Sequence, residues 1–167
     1  MNPEVNRPSA FYDIFDSPVG PIYMVFSGRY LSGISFRKPS GIPFKKGTAP
    51  AGFIKELTSY FKGVKGDFSQ KTKFLTGTDF EKEVWLFVRK IPFGETMTYK
   101  QVAEKIGRPG AARAVGRALS KNPIPIVIPC HRVIESDGSL GGYSSGVKTK
   151  IRLLELEYYS RLDKRFR

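Results

Sequence analysis

Three short apolar runs separated by turn residues open the chain. Phe11-Tyr12-Asp13-Ile14-Phe15, Ile22-Tyr23-Met24-Val25-Phe26 and Leu31-Ser32-Gly33-Ile34-Ser35-Phe36 are rich in aromatic and β-branched residues, which suit a pleated, half-buried surface. Ser17-Pro18-Val19-Gly20-Pro21 and Ser27-Gly28-Arg29 punctuate them, so the pattern predicts β-structure from about Phe11 to Phe36. Residues 38–50 turn to Pro, Gly and Lys and read as a loop. The period then changes: Phe53, Ile54, Leu57, Tyr60 and Phe61 recur at helical spacing. Residues 63–78 mix Gly, Lys and Thr and read as a linker.

Beyond the linker the helical period dominates. Thr78 with Glu81 three residues later has the form of a capping box, ahead of Phe80, Val84, Phe87 and Val88 on one predicted face. That helix must stop near Pro92. Thr98 and Gln101 repeat the capping pattern before Val102, Ala103 and Ile106. Gly107-Arg108-Pro109-Gly110 turns the chain into a second helix from Ala111 to Leu119. Asn122-Pro123-Ile124-Pro125-Ile126-Val127-Ile128-Pro129 reads as a stiff, extended arm. Ser136-Asp137-Gly138-Ser139 is a turn, followed by a glycine-rich loop over residues 140–146. A closing helix carries Leu153, Leu154, Leu156 and Glu157, where an acid among leucines could be buried and orient an imidazole. The expected class is α+β: a small N-terminal β-sheet plus helix domain over residues 1–75, then a mainly helical domain over 76–167 containing a helix-turn-helix.

Charge narrows the partners. The chain has 28 basic and 15 acidic residues, a formal charge of +13. From Lys100 onward there are 14 basic and 6 acidic residues, so the surplus is densest in the C-terminal part. Such a balance favours a polyanion, most simply nucleic acid. Two helices joined by a four-residue Gly/Pro turn match a DNA-binding helix-turn-helix or, equally, a helical hairpin with a small-residue packing face. Ala112, Ala114 and Gly116 would let the second helix approach a groove closely, with Arg113 and Arg117 projecting charge. No apolar run approaches the ~20 residues of a spanning helix. The reading is a cytoplasmic protein with no membrane association.

The single cysteine, Cys130, stands next to the single histidine, His131. A lone thiol excludes an internal disulfide and suits a reducing compartment, and one Cys with one His is too few soft ligands for a structural zinc site. Sulfur attacks as thiolate, and an imidazole is a common means of making it one. Neighbouring side chains diverge along a strand or helix, so a relay between the two needs a bridging water or a bend at Pro129. The glycine-rich loop with Tyr143 and Ser144 could wall a pocket for a flat polar ligand, or simply connect.

Asn122-Pro-Ile-Pro-Ile-Val-Ile-Pro-Cys130-His131-Arg132-Val133, with Tyr99 and Ala112-Arg-Ala-Val-Gly116 upstream and Gly-Gly-Tyr143-Ser144 and Glu157 downstream, resembles the O6-alkylguanine-DNA alkyltransferases. The detailed match spans about residues 76–158. The resemblance implies direct, irreversible transfer of an alkyl group from O6-alkylguanine, and less efficiently O4-alkylthymine, in double-stranded DNA. Cys130 would accept the alkyl group, His131 would deprotonate it through a water, and Glu157 would hold His131 in the right tautomer. Asn122 would brace the turn. Tyr99 would donate a hydrogen bond to the guanine ring, with Ser144 near O6, the backbone at Cys130 and Val133 reading the exocyclic amine, and Tyr143 and Pro125 contributing to the substrate site. Arg113 would fill the stack behind a flipped nucleotide, while Ala112, Ala114, Gly116 and Arg117 line the recognition helix. No cofactor is implied, and a monomer is expected. Some members bind zinc through N-terminal Cys and His; this chain has neither there, so no metal is expected. Gly142 and Ser145 depart from residues common in the family, and the basic tail Arg161–Arg167 runs past the match, either as a disordered end or as an extra phosphate contact.

Overall fold

The computed structural model describes residues 10–39, 45–64 and 66–165. The predicted strands form β1 (Ala10–Ser17), β2 (Gly20–Ser27) and β3 (Tyr30–Ser35), paired antiparallel in sequence order. A short β4 (Lys45–Lys46), inside the segment read as a loop, pairs parallel with β1, giving the order β3-β2-β1-β4. The turn at Gly20 needs φ +108°, a conformation open to glycine. Alternation along β2 sends Ile22, Met24 and Phe26 inward, all fully buried, against Phe53, Leu57 and Tyr60 of α1 (Ala51–Phe61). Each such side chain contributes on the order of 2 kcal/mol through burial.

The segment read as a linker is tied to the sheet. Leu31 donates to Lys71 O at 2.9 Å and accepts from Lys73 N at 2.9 Å, so residues 71–73 lie along the free edge of β3. Its last glycine, Gly77, has φ +105°, and a Cβ there would sit 2.6 Å from the Trp85 ring. This position therefore requires glycine both for conformation and for space.

Both capping boxes form: Thr78 with Glu81 opens α2 (Asp79–Val88), and Thr98 with Gln101 opens α3 (Tyr99–Lys105). The buried face of α2 differs from the predicted one. It consists of Glu81, Val84, Trp85 and Val88, while Phe80 and Phe87 are half-buried. Trp85 lies one helical turn after Glu81 and donates Nε1–H to Ala118 O of α4 (Ala112–Ser120) at 2.8 Å, which fixes that face inward. Helices α3 and α4 pack together across the Gly107–Gly110 turn in the layout of a helix-turn-helix.

The proline-rich run is stiff but not extended. Ile128 N donates to Ile124 O at 2.9 Å, and Asn122 bonds both ends of the loop, so residues 122–129 fold into a buried turn. Ile126 has φ +75°, a strained conformation for a β-branched residue that only an over-determined loop holds. Pro123 O accepts from Ile34 N at 2.8 Å, so this loop also stitches the sheet to the helical half. A single 3-10 turn (Cys130–Arg132) follows, then β6 (Val133–Ile134), which pairs parallel with β5 (Met97–Thr98). Helix α5 (Val147–Arg165) closes the chain. The tail is therefore helical to Arg165, and residues 166 and 167 lie outside the described residues. Among the described residues no helix is long and apolar enough to cross a membrane.

Candidate active site

The buried turn places Cys130 at the inner wall of a cavity of about 490 Å³. Tyr99 from the start of α3, the α4 residues Ala112, Arg113 and Gly116, and Tyr143 and Ser144 of the glycine-rich loop line the same space. Six residues expected to contact substrate or DNA thus meet the cysteine in one cavity. A side chain at Gly116 would meet the Tyr99 ring at 3.7 Å, so a small residue keeps this wall open. Arg113 is exposed on the first turn of α4. Four expected residues do not line the cavity: Pro125 and Val133 are buried in the turn and β6, and Ala114 and Arg117 lie elsewhere on α4.

Asn122 is the brace of the turn. Its Nδ2 donates to Ile128 O at 2.9 Å and to Cys130 Sγ at 3.1 Å, while Oδ1 accepts from Ile124 N at 3.0 Å. Burial pushes the Cys130 thiol above its ordinary value, and the donor from Asn122 opposes that rise only in part. The Tyr143 hydroxyl also lies near the sulfur and favours the thiolate, though it makes no hydrogen bond of ordinary geometry. The free protein therefore holds a neutral thiol.

Behind the cysteine, the 3-10 turn directs His131 into the protein, where it is fully buried. Its Nε2 lies 2.7 Å from Glu157 Oε1. The same oxygen accepts from Tyr60 Oη at 2.7 Å and Arg132 Nη2 at 3.0 Å; the other accepts from Arg132 Nε and Gly94 N, each at 2.9 Å. Burial alone would raise the Glu157 carboxyl, but the hydrogen bonds from His131 and Arg132, the Arg132 guanidinium, and the His131 ring once acid protonates it outweigh burial and hold the carboxyl at about 2. An ionised carboxylate can only accept, so Nε2 carries the ring hydrogen and Nδ1 is the free base. Nδ1 is buried and has no hydrogen-bond partner among the described residues. Burial also lowers the His131 pKa, against the pull of Glu157, so the imidazole is neutral and able to accept a proton.

Tyr99 and Tyr143 are both raised above the ordinary phenol value, first by burial, and remain protonated donors. Fully buried Lys150 donates from Nζ to Val133 O at 2.7 Å and to Leu140 O, and its charge lies 5.9 Å from the Tyr99 ring centroid. It ties β6 to the glycine-rich loop.

Sequence reasoning gave no role to Tyr60, Arg132, Glu135 or Lys150. Lys150 and Glu157 are seven residues apart with Leu153 between, the spacing of a single helix face, and that period was the available signal. Arg132 was visible inside the motif but nothing local marked it as buried. Glu135 lines the cavity beside Tyr99, and no pattern in the sequence announces it.

Residues 79–159 match the family described as 6-O-methylguanine DNA methyltransferase, DNA binding domain. The chain is 45% identical over 157 residues to a methylated-DNA–protein-cysteine methyltransferase of Methanosarcina barkeri, covering 88% of this chain and 96% of that one. Its structure is similar to the O6-methylguanine methyltransferase of Mycobacterium tuberculosis, with a TM-score of 0.84 and 40% identity over 90% of this chain and 94% of the other. The Mycobacterium tuberculosis OGT in complex with DNA is equally similar, with a TM-score of 0.84, 39% identity and the same coverage. With the motif, the cavity and these relatives in agreement, the chain belongs to the O6-methylguanine DNA methyltransferase family.

Proposed function

We propose that this chain repairs DNA by taking the alkyl group from O6 of guanine onto Cys130, and less efficiently from O4 of thymine. The observation that carries the reading is the position of Cys130 Sγ. It faces a cavity of the size that holds a small flat ligand, beside an α4 helix presenting small residues and Arg113.

An alkylated base inside a duplex hides its reacting carbon, so the nucleotide must leave the stack. Arg113, exposed at the cavity edge, fills the gap and offsets part of the unstacking cost of a few kcal/mol. The sulfur then attacks the alkyl carbon in line with the C–O6 bond. The C–S bond forms, the C–O6 bond breaks, and its electron pair stays on the base. The thiol proton passes to His131 Nδ1 through one bridging water, with Glu157 stabilising the imidazolium that forms. The protonated Tyr99 and Ser144 donate to the ring as negative charge grows there, and the base recovers one proton to become guanine. The product thioether has no cheap route back to thiol, so each molecule acts once.

Residues 76–167 carry DNA binding and transfer in this reading, and residues 1–75 support them. The partner is double-stranded DNA, engaged by a monomer in a reducing, cytoplasmic setting that keeps the lone thiol free. The formal charge of +13 supports phosphate contact, so binding weakens steeply with salt.

The test is peptide mass spectrometry after incubation with a duplex carrying one O6-methylguanine. One methyl on Cys130, saturating at one per protein, is expected. Binding of the lesion with no mass gain would make the chain a damage sensor and refute transfer.

A further inference from the structure

Helix α1 belongs to the N-terminal half, yet its Tyr60 reaches the carboxylate behind the cysteine. The ring of Tyr60 packs in an aromatic cluster with Phe61, Phe68 and Phe93, at centroid distances of 5.1, 5.7 and 5.7 Å. Phenylalanine would serve that packing without a polar atom to satisfy. The hydroxyl is fully buried, and a buried hydroxyl is tolerated only when its bond is made. It donates to Glu157 Oε1 at 2.7 Å and lies 3.3 Å from His131 Nε2.

That oxygen is the one His131 uses. We propose that Tyr60 is a positioning residue for alkyl transfer: acting through Glu157, its hydroxyl fixes the His131 ring and limits its basicity, so the N-terminal half is part of the transfer machinery. This rests on the reading of His131 as the base for Cys130. Among the described residues, the charged and titratable groups around His131 are Glu157 and Lys150 of α5, Arg132 and Cys130 of the 3-10 turn, Tyr60 of α1, and Tyr143 of the glycine-rich loop, which interacts with Cys130, Tyr60 and Glu157. Arg132 and Lys150 disfavour the imidazolium, and Glu157 favours it. A donor on Glu157 disperses its negative charge and weakens that favour. Removing the donor therefore raises the basicity of His131 while loosening its orientation.

His131 is the only histidine, so its titration is a single NMR signal in the free protein, with no DNA present. Tyr60→Phe keeps the ring and deletes the hydroxyl. Its histidine is expected to titrate at higher pH than in the unaltered protein. The acid limb of methyl transfer should move the same way, and the plateau rate should fall about three- to tenfold. Phe68→Leu loosens the same aromatic cluster without touching the carboxylate and should lower Tm while leaving the histidine titration in place. An unchanged titration in Tyr60→Phe, or an equal displacement in Phe68→Leu, overturns the proposal. Absence of methyl transfer in the unaltered protein would instead refute the proposed function, while the NMR titration would still decide the role of Tyr60.

Discussion

Cys130 and Glu157 are two acids buried to nearly the same degree, at 3% and 1% exposure. Burial pushes both towards the protonated form. The outcomes are opposite. Glu157 accepts five hydrogen bonds, three of them from Arg132 and His131, and stays ionised. Cys130 has, among the described residues, one side-chain donor of ordinary geometry, the Asn122 amide at 3.1 Å, with the Tyr143 hydroxyl nearby, and stays a thiol. Desolvation pushes both the same way; the carboxyl's lower ordinary value, 4.5 against 9.0 for the thiol, and its greater number of donors together leave Glu157 charged and Cys130 neutral. The ionised carboxylate lies against the His131 ring, and the thiol that lines the cavity stays neutral in the free protein.

The most severe way to break this pairing is Cys130→Ser, which should abolish methyl transfer while DNA binding persists; transfer surviving in that variant would assign the nucleophile elsewhere. Glu157→Gln removes the charge but keeps the shape. Arg132 is then left buried without its counter-charge, and urea denaturation should show a loss of about 3–5 kcal/mol. An effect under about 1 kcal/mol would mean the five bonds contribute little to the fold.

Acid should act on the same network. Glu157 falls from an ordinary value of 4.5 to about 2 on folding, so it favours the folded state above pH 4.5 and that contribution, about 3 kcal/mol, is lost as pH falls to about 2. His131 is also lowered by burial, so its contribution fades from about its ordinary 6.5 downward. Both signs agree: stability against pH should fall on acidification and gain nothing from it. The smallest effect is expected at Asn122→Ala, which removes the thiol's donor and the loop staple. Calorimetry should show a cost of about 1–3 kcal/mol, and Cys130 should become harder to ionise.

How far the sequence could be read follows from the same physics. Local signals were legible: the capping boxes at Thr78 and Thr98, the strand runs and the helical period before Phe61 all fold as their patterns imply. The proline run misled, because stiffness does not specify extension; Asn122 closes it into a turn through bonds to Ile124 and Ile128 that no local rule predicts. The motif drew attention to Cys130, His131 and Glu157, and the cavity unites the cysteine with Tyr99, Arg113 and Tyr143. Tyr60 and Arg132 stayed hidden because their partner lies 97 and 25 residues away. Long-range polar pairing leaves no period behind, and a tyrosine on an apolar helix face looks like core.

The contrast between a neutral thiol and an ionised carboxylate is most directly tested at the sulfur itself. Cys130 is the only cysteine, so the rate of its alkylation by iodoacetamide, followed by intact mass against pH, reports one ionisation. The account predicts a midpoint above the ordinary thiol value of 9.0 in the free protein. A midpoint near or below neutrality would show a standing thiolate, and would contradict the view that His131 must draw the proton away during attack.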